Sequence, residues 1–117
     1  MKKIFILSRE TSVTQTLSKF LSMNSFVTHV SNDLEKARSL MEKKTFDLII
    51  MDLSFKKNCQ ELSRFNHLIS QLNLPTIFLC DIPTKGNFLR GIHLKTQEFL
   101  IKPFRPIELI NALHTLV

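Results

Sequence analysis

Phe46-Asp47-Leu48-Ile49-Ile50-Met51-Asp52 is the stretch that decides how this chain folds. Five of its seven residues are apolar, and β-branched Ile49 and Ile50 stand in the middle. An apolar run of this length reads as a strand buried on both faces, the kind found in parallel sheets covered by helices. The run closes on Asp52. Open α/β sheets gather their ligands at the carboxyl ends of their strands, which makes Asp52 the first candidate site residue.

The flanking sequence alternates between strand and helix patterns. Residues 4–7 form a first apolar strand, with Ser8-Arg9-Glu10 as its exit. Thr11 or Ser12 can cap a helix running to about residue 23, with Val13, Leu17, Phe20 and Leu21 on one face. Residues 26–30 alternate more and read as an edge strand. Ser31, Asn32 or Asp33 caps a second helix to about residue 44, with Leu34, Ala37, Leu40 and Met41 facing in. After the strand at 46–52 comes a polar, basic loop at 53–58, then a helix over 59–72. Residues 75–80 make a fourth strand, with Pro75 at its first position, where proline is tolerated. A loop at 81–86, a short helix at 87–93, a strand at 98–101 and a last helix at 106–116 complete five βα units. Strict alternation implies an α/β fold, a doubly wound parallel sheet with right-handed crossovers. The strand order expected is 2-1-3-4-5, the flavodoxin-like (βα)5 arrangement. That order brings Ser8, Arg9, Asp52, Cys80 and Lys102 to one edge of the sheet.

Length and composition bound the function. The 117 residues make one domain, 1–117, and 44% hydrophobic with 22% charged residues suits a globular protein with a real core. No apolar run approaches the ~18 residues that span a bilayer, and the short run after Met1-Lys2-Lys3 is no signal-peptide core. A cytoplasmic protein with no membrane partner is expected. Cys59 and Cys80 lack metal-type spacing and read as reduced thiols. The net charge is +6, but the sixteen Lys and Arg are scattered, with tight pairs only at Lys2-Lys3, Lys43-Lys44 and Lys56-Lys57. Scatter of this kind reads as solvated surface. His29, His67, His93 and His114 fall on separate elements and suggest no metal site.

Three blocks carry a family likeness: Asp-Leu-Ile-Ile-Met-Asp at 47–52, Leu-Pro-Thr-Ile-Phe-Leu at 74–79 and Phe-Leu-Ile-Lys-Pro-Phe at 99–104. With them the whole chain resembles the receiver domain of bacterial two-component response regulators. The resemblance implies that Asp52 stands where a histidine kinase's phosphoryl group is accepted. It implies that Lys102 pairs with the phosphoryl oxygens, with a cis Lys102–Pro103 peptide. Cys80 and Phe99 stand at the switch positions. It further implies a signalling module rather than an enzyme, acting on a protein partner or as a homodimer. The contact face would be made by the fourth helix, the fifth strand and the last helix. The chain would be a stand-alone receiver or the regulatory piece of a longer transcription regulator, whose C-terminal domain alone would contact nucleic acid.

The departures from the family pattern are chemical. Where receivers carry two acids that hold Mg²⁺, this chain has Ser8 and Arg9, with Glu10 one residue on. Where they carry Thr or Ser after strand 4, it has Cys80, a weak donor. Mg²⁺ is held by carboxylates, carbonyls and water, so weak or absent Mg²⁺ binding is expected, with no other cofactor. Asp52 is then expected to lie within ion-pair distance of Lys102, with Arg9 as a second candidate. The reading is an atypical receiver, phosphorylation-independent or weakly phosphorylated at Asp52. One alternative is a conventional phospho-accepting receiver. The other is a flavodoxin-like cofactor-binding protein, which would want a Gly-rich or hydroxyl-rich phosphate loop after strand 1. Residues 8–14 are hydroxyl-rich but hold no glycine.

Overall fold

A computed structural model describes residues 2–52, 67, 74–80 and 97–116. The elements are β1 (Lys3–Leu7), α1 (Thr11–Met23), β2 (Val27–Ser31), α2 (Leu34–Lys43), β3 (Leu48–Asp52), β4 (Thr76–Cys80), β5 (Gln97–Ile101) and α3 (Pro106–Leu116). All four strand pairings are parallel, in the order β2-β1-β3-β4-β5 expected from the alternation. The helices expected at 59–72 and 87–93, and the loops at 53–58 and 81–86, lie outside the described residues.

The pleat sorts the strand side chains into two cores. Phe5, Leu7, Ile49, Met51 and Phe78 join Ala37 and Met41 of α2 on one face. Ile4, Ile6, Leu48, Ile50, Ile77 and Leu79 join Leu17 and Leu21 of α1 and Leu109, Ala112 and Leu113 of α3 on the other. Both sets alternate along each strand because successive side chains point to opposite faces. This explains why β3 is apolar without interruption: Leu48 to Met51 are wholly buried. Each such side chain contributes about 1.5–3 kcal/mol of transfer free energy. β2 has a neighbour on one side only, and its residues are half-buried or, at Val30, exposed. The aromatic packing adds geometry: Phe5 and Phe46 meet edge to face at 5.1 Å, and His29 meets Phe46 at 5.4 Å.

The helix ends show where local chemistry sets the chain path. Asp33 caps α2, its Oδ1 accepting from the backbone N–H of Glu35 at 2.8 Å and of Lys36 at 3.1 Å. The first helix corrects the expectation for Thr11 and Ser12. Its N-cap is Glu10, which makes no side-chain cap bond, and Thr11 and Ser12 are already helical. The cause lies one step earlier. Ser8 Oγ accepts the Glu10 N–H at 3.1 Å, turning the chain into the helix directly from the strand exit. The Glu10 carbonyl then accepts from Val13 and Thr14. At the far end of α1, Ser25 takes a left-handed φ of 67°. Ser25 N–H and Phe26 N–H donate to the carbonyls of Ser22 and Leu21, the pairing that closes a helix with a left-handed residue after its cap.

No helix among the described residues is long and apolar enough to cross a membrane.

Candidate functional site

The register of the central strands builds the site. Leu7 pairs with Met51, so the next residue on each strand, Ser8 and Asp52, stand side by side. Asp52 pairs with Leu79, and Cys80, the last residue of β4, pairs with Ile101 of β5. Lys102 follows Ile101 directly, and the Lys102–Pro103 peptide is cis. The carboxyl edge of the sheet therefore assembles Ser8, Asp52, Cys80 and Lys102 by position.

Asp52 is the centre of the cluster. Its side chain is 1% exposed, and Lys102 Nζ donates to Oδ1 at 2.7 Å. Ser8 Oγ donates to the other oxygen, Oδ2, at 2.9 Å, and Ser8 itself is fully buried. Because the same Ser8 oxygen accepts the Glu10 N–H, the hydroxyl is engaged as donor and as acceptor. Ser8 N–H donates to the Ser31 carbonyl at 3.1 Å, which fixes the backbone that carries this hydroxyl. A carboxylate taken out of water needs a compensating charge and hydrogen bonds. Here the charge comes from Lys102, half-buried with its side chain 26% exposed, through a short charge-assisted contact.

Arg9 and Glu10, the other residues expected near a metal position, are exposed. Among the described residues no group of three or more His, Cys, Asp or Glu lies together as a metal set. The two oxygens of Asp52 face a lysine and a hydroxyl proton. A hard divalent cation wants several oxygen donors with net negative charge. Of the histidines, His29 packs on Phe46 while His67 and His114 are exposed; His93 is outside the described residues.

Phe99, on β5, is half-buried and stacks on Phe78 with centroids 5.1 Å apart at 26°. Residue reading placed Phe99 on the strand but not against Phe78. The bond from Ser8 to Asp52 is likewise not visible in the sequence, where Ser8 stands at a metal-ligand position of the family and in a hydroxyl-rich stretch. Strand order alone puts Ser8 and Asp52 on neighbouring strands; the register Leu7↔Met51 is what sets the hydroxyl beside the acid.

Known proteins share the fold. The sequence model of the response regulator receiver domain family matches residues 4–114. A probable transcriptional regulator, ycf27, of Guillardia theta is 26% identical over 113 residues, covering 92% of this chain and 42% of the relative. The cell cycle response regulator CtrA of Brucella abortus is 22% identical over 119 residues, covering 98% and 50%. The chain thus spans half or less of the length of these relatives. Among solved structures, the chemotaxis response regulator CheY4 of Vibrio cholerae superposes with a TM-score of 0.84 at 21% identity, covering 100% of this chain and 99% of that one. A two-component response regulator from Clostridium difficile gives 0.81 at 17% identity, covering 99% and 95%. The beryllofluoride-activated NtrC4 receiver domain dimer gives 0.77 at 20%, covering 99% and 97%. At these identities the structural likeness speaks for the fold.

Proposed function

This chain belongs to the response regulator receiver domain family of two-component signalling, and we propose that it signals through protein contacts without a Mg²⁺-dependent phosphoryl cycle at Asp52. One observation carries the reading. Asp52 is buried with Lys102 on one oxygen and the Ser8 hydroxyl on the other. Phosphoryl transfer to a carboxylate needs that oxygen free to attack and a metal to neutralise the moving charge. Here a fixed cation already neutralises the carboxylate, and Ser8 stands where a metal-binding acid would be. The site acts as a structural ion pair that joins the ends of β3 and β5, and the domain is a signalling module, not an enzyme.

The contact surface in this reading is the β5–α3 side together with the fourth helix expected at 87–93. Ile107 is 53% exposed on the first turn of α3, beside exposed Arg105 and, further along, exposed Asn111 and His114. An apolar residue ringed by polar ones suits a protein contact. The NtrC4 receiver domain forms a dimer, and a homodimer or a heterologous protein is the partner class we assign. Asp52 and Lys102 also keep the second reading, a conventional phospho-acceptor, chemically defined.

Two measurements separate the readings. Titration of Mg²⁺ to several millimolar should leave the amide resonances of Ser8, Arg9 and Asp52 unmoved; saturable shifts at these residues would restore the metal site. Acetyl phosphate, or beryllofluoride with Mg²⁺, should modify the protein to a minor fraction. Stoichiometric labelling that disappears in Asp52→Asn would return the chain to the phosphorylated receivers.

A further inference from the structure

Two of the tight lysine pairs of the sequence, Lys2-Lys3 and Lys43-Lys44, lie at one edge of the fold. β1 begins at Lys3, and the carbonyls of Lys2 and Lys3 accept the backbone N–H groups of Val27 at 3.0 Å and Asp47 at 2.8 Å. Lys43 is the last residue of α2 and Lys44 its C-cap, three residues before Asp47. Lys2, Lys3, Lys43 and Lys44 therefore share the amino-terminal edge of the sheet, the end opposite Asp52, and all are exposed. Exposed Lys19 lies on α1 one turn before Met23, where that helix ends at the same edge.

The acids at this edge, Asp47 and Glu42, offset only part of the charge of the four lysines. Asp47 Oδ2 accepts the Lys3 backbone N–H at 2.7 Å, and Glu42 pairs with Arg38 at 3.4 Å. The ion pairs Arg38–Glu42, Lys102–Asp52 and Arg105–Glu108 use none of these lysines. At the carboxyl edge, by contrast, Arg9, Lys102 and Arg105 are interleaved with Glu10, Asp33, Asp52 and Glu108. Helix-end electrostatics accounts for Lys43, in the last turn of α2. It does not account for Lys2 and Lys3, which belong to no helix.

We propose that this edge, through Lys2, Lys3, Lys43 and Lys44, binds the phosphate backbone of duplex DNA without reading its sequence. The residue types select this occupant. Lysines are point charges that meet phosphate oxygens without a fixed fork, and lysine is depleted at protein–protein interfaces. No aromatic residue is exposed among the described residues of this edge, so bases have no stacking platform. An anionic bilayer would need a broad apolar face, and among the described residues of this edge Met23 is the one large apolar residue exposed. Backbone contacts of this kind give affinity and position, not specificity. The surface is independent of the Asp52 site, so either reading stands if the other fails.

Fluorescence anisotropy of a short labelled duplex of arbitrary sequence, titrated with the 117-residue chain, tests it. Four phosphate contacts should weaken binding about a hundredfold between about 50 and 200 mM NaCl. Each lysine replaced by alanine should flatten the slope of log affinity against log salt by about 1. The quadruple variant K2A/K3A/K43A/K44A, with an unchanged circular dichroism spectrum, should lose nearly all binding at low salt. Arg105→Ala, at the opposite edge, should bind as the unaltered chain does. No binding at low salt, equal binding by the quadruple variant, or an equal loss in Arg105→Ala overturns the proposal. Phosphatidylserine vesicles or polyglutamate bound as tightly as DNA would overturn it too, by assigning the surface to a different partner.

Discussion

Lys102→Ala is expected to lower folding stability by about 3 kcal/mol, the low end of the range for breaking a buried ion pair by removing one partner. The loss comes from what remains. Asp52 is 1% exposed, and without Lys102 its Oδ1 loses a charge-assisted bond at 2.7 Å while Oδ2 keeps the Ser8 hydroxyl. Uncompensated burial of a carboxylate is the costly case. The low end applies because the Lys102 side chain is itself 26% exposed, so water can enter as the lysine leaves. For a chain of this size the change corresponds to roughly 10–15 °C in the thermal midpoint. Lys102→Met, which keeps much of the apolar stem but not the charge, should lose nearly as much. A Lys102→Met variant as stable as the unaltered protein would show that the charge is not needed.

Asp52→Ala should also destabilise, by about 1–3 kcal/mol, and less than Lys102→Ala. The two partners are not equivalent. A lysine whose carboxylate is removed can extend toward water, since it already lies partly in it. The remaining penalty falls on Ser8, whose buried hydroxyl loses its acceptor. A pocket of crowded, unneutralised acids would respond with the opposite sign, because removing one carboxylate relieves repulsion among the rest. Denaturant midpoints of the two variants at neutral pH therefore report whether Asp52 is neutralised in place, and a midpoint for Asp52→Ala above that of the unaltered chain would count against it.

The sheet was legible because burial on both faces leaves a plain trace. Leu48 to Met51 are apolar without a break since every one of them is inside. The edge position of β2 was legible for the converse reason, in the Thr28 and His29 that interrupt its apolar residues. Asp33 was among the caps the residues allowed, and it is the one whose carboxylate reaches the α2 backbone. The start of α1 was not legible, because the residue that turns the chain is Ser8, acting through a bond to Glu10 that no capping pattern encodes. The approach of Lys102 to Asp52 was expected from the strand order together with the family resemblance. The Ser8 bond needed register as well, and register depends on pairings between residues distant in sequence. The gathering of Lys2, Lys3, Lys43 and Lys44 was hidden for the same reason: linear spacing shows two pairs far apart, and only the parallel sheet places their ends together.

The double-mutant cycle between Asp52 and Lys102 bears most directly on the central claim, that a fixed ion pair occupies the pocket. Unfolding free energies would be measured for the unaltered chain, Asp52→Ala, Lys102→Ala and the double variant under one set of conditions. The double variant should be more stable than Lys102→Ala alone, because deleting the carboxylate removes the stranded charge, and the coupling should reach about 2–3 kcal/mol. Additive losses, with the double variant the least stable of the four, would contradict the claim.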